Sequence, residues 1–164
     1  TDDSLARTMA DYGMEGDTTP YITMLNRMWA NAKPFPETAR VLARLDGLPR
    51  AVVSNADDAF LKGLLRKNGL SFDHVVTSEG VRAYKPRARI FEVALQYLRA
   101  RPEDVVHVGD SLTADVEGAS RLGMRTIWVN RQGLVRGVSD PRPDREIPDL
   151  TPLPELLAEL RDGS

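Results

Sequence analysis

The feature that most constrains this chain is the alternation that begins at Arg50. Four short β-branched runs, RAVVSN (50–55), HVVTS (74–78), DVVHVGD (104–110) and RTIWVN (125–130), are separated by three helical stretches. Residues 57–69 set Phe60, Leu61, Leu64 and Leu65 on one stripe and stop at Gly69. Residues 86–99 open on Pro86 and set Ile90, Phe91, Ala94, Leu95 and Leu98 on one face, and residues 114–122 stop before Gly123. The runs are near-continuously apolar, as suits strands buried on both faces of a parallel sheet. Strands that alternate with helices in this way connect by right-handed crossovers. The expectation is a doubly wound, Rossmann-like α/β fold with a parallel sheet.

Before Arg50 the pattern is helical. DSLARTMADYGM, TPYITMLNRMWANA and FPETARVLARLDGL have the helical period, and no strand-like run appears. This divides the chain into a helical part, residues 1–33, and an α/β part, residues 34–164. Near the end, SDPRPDREIPDLTPLPE is rich in proline and charge and reads as an extended surface segment leading to a last short helix.

Composition removes several function classes. With no cysteine in 164 residues, disulfides, thiolate metal sites and cysteine nucleophiles are excluded. Twenty-two basic and 24 acidic residues are interspersed at a net charge of −2, which leaves no footprint for nucleic acid or an anionic membrane. The first residues lack a basic stretch followed by an apolar run, and no apolar stretch approaches the ~20 residues that span a bilayer. A soluble, cytoplasmic protein is expected.

In open parallel sheets ligands bind beyond the carboxyl ends of the strands. There the first strand ends in Ser54-Asn55, Lys85 precedes the helix that opens at Pro86, the third strand ends in Gly109-Asp110, and Asp115 falls in the next first turn. A hydroxyl, an ammonium and two carboxylates thus converge on one edge. Such carboxylates suit a hard divalent cation, and Mg²⁺ takes one or two of them with waters and substrate phosphate oxygens. Asp110 is the expected direct ligand, while Asp115 holds a metal-bound water or pairs with Lys85. Ser54, the Asn55 backbone N–H and Lys85 are expected on phosphoryl oxygens, where they neutralise charge during transfer.

These segments resemble the haloacid dehalogenase-like (HAD) hydrolase superfamily, most of whose members are magnesium-dependent phosphatases. AVVSNAD resembles its second motif, YKPRARIF its third, and VHVGDSLTADVEGASRLGM its fourth, including Gly118-Ala119 and Gly123-Met124. The likeness runs from about Pro34 to the end. It implies that Ser54, Lys85 and Asp110 are catalytic, with Ser54, Asn55 and Lys85 binding phosphate and Asp110 and Asp115 serving the metal. It also implies that residues 1–33 are the latter part of a helical cap.

The family's first motif, an apolar strand ending in Asp-x-Asp, has no counterpart. Asp2-Asp3 has no strand before it, and Asp57-Asp58 falls after the second motif. The resemblance places that missing strand in mid-sheet, between 50–55 and 104–110, so both would be left with unpaired backbone groups. Three explanations are open. The sequence is a fragment of a longer protein, which is preferred; a second chain supplies the strand; or the remaining strands re-pair directly.

The expected function is a phosphatase acting on a small phosphorylated metabolite through an aspartyl-phosphate, its nucleophile outside this sequence. The alternatives are a metal-independent haloacid dehalogenase and a catalytically incomplete module that binds phosphate or a partner. Met28 and Trp29 are expected to pack within the cap, with Tyr21 and Arg27 undecided. His107 is expected to be structural, His74 solvated and Trp128 packed on a helix, and Arg131 is a surface arginine or a substrate contact.

Overall fold

The computed structural model describes residues 16–162, apart from the side chains of 22, 25, 26, 29 and 30. The chain divides into two compact units, Thr1–Lys33 and Pro34–Ser164. In the first, the helix α1 (Thr19–Ala30) is described. Met28, expected to pack, is 61% exposed. Trp29's side chain and the segment DSLARTMADYGM lie outside the described residues.

The second unit is a mixed α/β body with every strand pair parallel. Its elements are α2 (Thr38–Arg44), β1 (Ala51–Ser54), α3 (Asp58–Lys67), β2 (His74–Thr77), α4 (Ser78–Val81), α5 (Ala88–Leu98), β3 (Val106–Gly109), a π-helical turn (Leu112–Glu117), α6 (Gly118–Ser120), β4 (Arg125–Val129), β5 (Arg145–Ile147) and α7 (Leu153–Asp162). The stops fall where backbone geometry requires them. Gly69 and Gly123 have φ of +65° and +84°, a conformation that costs glycine little and other residues more.

The strands form two sheets. β1 pairs with β2 from Ala51↔His74 to Ser54↔Thr77. β3 pairs with β4 from Val106↔Arg125 to Gly109↔Trp128, and β4 pairs with β5. Neither β1 nor β3 has a second strand beside it among the described residues. This is the opening that the missing first motif implies, and the two strands do not re-pair with each other.

The burial follows. In β4, flanked on both sides, Ile127 and Trp128 are each 1% exposed, whereas every residue of β1 and β3 is only partly buried. The expectation of strands buried on both faces therefore holds for β4 and not for β1 or β3. The segment expected to be extended surface also differs. Residues 145–147 form β5, and Ile147 is buried because it packs with Val41, Leu45, Ile127 and Leu153. Three residues flanked by proline and charge carry too short an apolar signal to mark a strand in sequence.

A second apolar cluster joins the other face. Ile90, Phe91, Ala94 and Leu95 of α5 pack on Val76 of β2 and on Ala119 and Met124, with Val53 of β1 at the margin. One helix thus covers the two-stranded sheet and also holds the start of α6. Gly118 permits this approach, because a Cβ there would meet Phe91 Cε2 at 2.6 Å and the Pro86 backbone at 3.0 Å.

Candidate active site

The carboxyl end of β3 is shaped by a serine cap. Ser111 Oγ accepts a hydrogen bond from the Ala114 N–H at 3.0 Å, and the Ser111 carbonyl accepts from the N–H groups of Asp115 and Val116 at 2.9 and 3.1 Å. The added π-type bond is why the helix expected over 114–122 opens as a π-helical turn. That turn carries the Asp115 side chain back over the strand, and Gly109 leaves room for it.

Asp115 is 3% exposed and bonded at both oxygens. Its Oδ1 accepts from Lys85 Nζ at 2.6 Å and lies 3.0 Å from His107 Nε2, while its Oδ2 accepts from the Ser111 N–H at 3.1 Å. An ionised carboxylate only accepts, so His107 carries its proton on Nε2. Burial alone would push the Asp115 carboxyl up. The hydrogen bond from His107 and the charge and hydrogen bond of Lys85 reverse that and hold it at about 2.

A carboxyl held below its unfolded value adds stability above that value and loses it as pH falls through the folded one. Asp115 is therefore expected to contribute about 2 kcal/mol at neutral pH, lost between about pH 4 and pH 2. Urea denaturation of wild type and Asp115→Asn should show a gap at pH 6 that closes by about two-thirds of that amount at pH 2.5. A gap independent of pH would refute the assignment.

Lys85 is held at its other end as well. The Asn55 side chain accepts from the Lys85 N–H at 2.7 Å and donates to the Lys85 carbonyl at 3.3 Å. One residue therefore ties the end of β1 to the end of β3. Ser54 shares that end of β1. Asp110 is exposed, and its carboxylate takes no hydrogen bond among the described residues. Its backbone is fixed by Trp128, whose buried indole N–H donates to the Asp110 carbonyl at 2.9 Å.

The structure joins Asn55 to Lys85 and Lys85 to Asp115, while Asp110 directly precedes Ser111, whose N–H bonds Asp115, and Ser54 directly precedes Asn55. Sequence reading missed three side chains. His107, expected to be structural, bonds the Asp115 carboxylate, Trp128 bonds the Asp110 carbonyl as well as packing, and the Asn55 side-chain amide bonds the Lys85 backbone. Alternation along DVVHVGD puts His107 and Gly109 on one face, and Asp115 closes over Gly109. That shared face was the available signal for His107.

Arg131, His74 and Asp58 each make a local contact. Arg131 pairs with Glu37 at 2.6 Å and stacks 3.5 Å from the Phe35 ring, so it anchors the chain before α2. His74 stacks on Tyr97 at 5.3 Å instead of standing in solvent. Asp58 ties α3 to β2 through the Thr77 hydroxyl at 3.1 Å.

Among the described residues no three His, Asp or Glu side chains gather as a metal cage. Mg²⁺ does not need one, since it keeps waters and uses one or two carboxylates with substrate oxygens. The free hard oxygens of Asp110, with the second lone pair of Asp115 Oδ2, fit that demand. Two surface clefts, of 370 and 240 Å³, lie elsewhere, against Arg40, Arg44 and Glu155 and against Leu42, Arg50 and Leu70. Among the described residues no helix is long and apolar enough to cross a membrane.

Comparison with known proteins agrees with this architecture. Residues 6–123 match the haloacid dehalogenase-like hydrolase family. The chain is 31% identical to (S)-2-haloacid dehalogenase H-109 of Pseudomonas putida over 97% of its own length and 72% of the relative's. It is 38% identical to a glyceraldehyde 3-phosphate phosphatase of Methanothermobacter thermautotrophicus, over 68% of this chain and 51% of that one. Among solved structures, a HAD phosphatase from Thermococcus onnurineus superposes with a TM-score of 0.73 at 31% identity, covering 91% of this chain and 68% of that one.

Proposed function

The chain belongs to the haloacid dehalogenase-like hydrolases, and we propose that within this family it is a magnesium-dependent phosphatase acting on a small phosphorylated metabolite. The observation that carries this reading is the Asp110 carboxylate, exposed and without a hydrogen bond among the described residues, at the strand end where Asp115 is already held at both oxygens. A free acid at this edge repels a carboxylate substrate but suits a cation that bridges to phosphate.

Each residue then has a role. Asp110, with help from Asp115, would hold Mg²⁺, which would supply positive charge against the phosphoryl oxygens. Ser54 would donate its hydroxyl to one of those oxygens, and the Asn55 backbone N–H to another. Lys85 Nζ has three donors, of which Asp115 takes one, leaving two for the phosphoryl group. The attacking aspartate would arrive on a strand that pairs with the open edges of β1 and β3, from another segment or a second chain. Its oxygen would form a bond to phosphorus as the ester oxygen leaves with a proton from the second aspartate of the same Asp-x-Asp, and water, deprotonated by that residue, would then cleave the aspartyl-phosphate to free aspartate and inorganic phosphate.

A second reading is favoured by the P. putida relative, a haloacid dehalogenase. The two separate on metal and substrate. We expect release of inorganic phosphate from small phosphate esters with Mg²⁺, its loss in EDTA, and a fall of about a hundredfold or more in Asp110→Asn. Halide release from a 2-haloacid that survives EDTA would install the dehalogenase instead. Saturable phosphate binding without turnover of either substrate would mean a binding module.

A further inference from the structure

We propose that His107 is a positioning residue of this site, donating its Nε2–H to the same Asp115 oxygen that Lys85 uses and so fixing where the lysine ammonium stands. The two donors reach Oδ1 from different elements, His107 from β3 at 3.0 Å and Lys85 from the loop before α5 at 2.6 Å. A carboxyl group turns readily about its terminal bond, whose torsional preference is broad. Lys85 and Ser111 alone would leave the carboxylate free to pivot; a second donor on Oδ1 sets its plane. This matters because a lysine chain has large rotamer freedom and stays put only if its acceptor does.

The imidazole is itself held. Phe91, fully buried, meets the His107 ring edge-on at 5.1 Å and 80°. Gly118 lets Phe91 come that close, since a Cβ there would lie 2.6 Å from its ring. The line of support runs from α6 through Phe91 and His107 to Asp115 and ends at Lys85. A bland alternative has the imidazole merely filling space beside Phe91, and this requires shape but no donor.

The catalytic meaning of the inference rests on the proposed role of Lys85, whereas its geometry does not, so it is tested without substrate or metal. Trace acetylation of the purified protein, read by peptide mass spectrometry, gives the reactivity of Lys85 relative to Lys62 on α3, whose side chain is 51% exposed. His107→Phe keeps an aromatic ring without the donor, and His107→Gln keeps a donor without the ring. We expect the Lys85 to Lys62 ratio to rise about fivefold in His107→Phe and to stay within about twofold of wild type in His107→Gln. Circular dichroism establishes that each variant folds, with His107→Leu replacing the Phe variant if that one does not. An unchanged ratio in the apolar variant, or an equal rise in His107→Gln, overturns the proposal. Protection without phosphatase turnover would count against the proposed function alone, and turnover without this pattern would count against His107 alone.

Discussion

Lys85→Met should cost the fold about 3 kcal/mol at pH 7, at the lower end of what breaking a buried ion pair costs. Lys85 and Asp115 have side chains only 14% and 4% exposed, so removal of the ammonium leaves a carboxylate with little access to water. Methionine keeps most of the lysine's volume, which makes the loss chiefly electrostatic rather than a cavity. The deficit stays at the lower end because His107 and the Ser111 N–H still serve Asp115. It should also shrink in acid. Without the Lys85 charge the Asp115 carboxyl titrates higher, and once protonated it no longer needs a cation.

Urea denaturation at pH 7 and pH 4 tests both statements, and Lys85→Met/Asp115→Asn closes the cycle. Removing both charges should recover more than half of the single-variant loss, because a neutral pair in a buried site carries no stranded charge. A loss below about 1 kcal/mol at pH 7 would mean that the pair behaves like a solvated surface bridge. On the proposed function the same variant should also abolish phosphate release whatever its stability, since the two phosphoryl contacts proposed for Lys85 leave with the ammonium.

Much of this arrangement can be read from the sequence because strand ends and helix starts are marked locally. The apolar runs that stop at Ser54 and Asp110 locate the carboxyl edge, and Lys85 before a proline sits at a helix entrance by the same logic. What the sequence conceals is contact between distant elements. Nothing local to Trp128 indicates that its indole will reach the Asp110 carbonyl, 18 positions away, and nothing local to Asn55 points to the Lys85 backbone 30 positions on. β5 is hidden for another reason. Its pairing with β4 is decided by a neighbouring strand and an apolar cluster, not by any period in its own three residues. The open edges of β1 and β3 were legible only as an absence, a motif not found; in the structure the strands of the described residues fall into two separate sheets.

Gly109→Ala is expected to be among the most damaging single changes in the molecule, at about 3–5 kcal/mol, although it adds one methyl group. A Cβ on Gly109 would lie 2.3 Å from Asp115 Cγ and 2.5 Å from its Cβ and Oδ2, separations that atoms do not tolerate. A flexible side chain could swing aside at small cost, but Asp115 cannot. Its Oδ1 is shared by Lys85 and His107, its Oδ2 is taken by the Ser111 N–H, and its own N–H is bonded to the Ser111 carbonyl. Relief therefore requires either loss of all three side-chain bonds to a buried carboxylate or a shift of the end of β3, where Gly109 pairs with Trp128. The same substitution at Gly63 supplies the control. That residue lies inside α3 with nothing within 4 Å of an added Cβ, so alanine there should stabilise by about 0.5–1 kcal/mol through helix propensity. Urea midpoints of the two variants should thus move in opposite directions from wild type. If Gly109→Ala unfolds with the wild-type midpoint, Asp115 has room to move, and the rigid carboxylate that organises Lys85 and His107 is not what holds this site together.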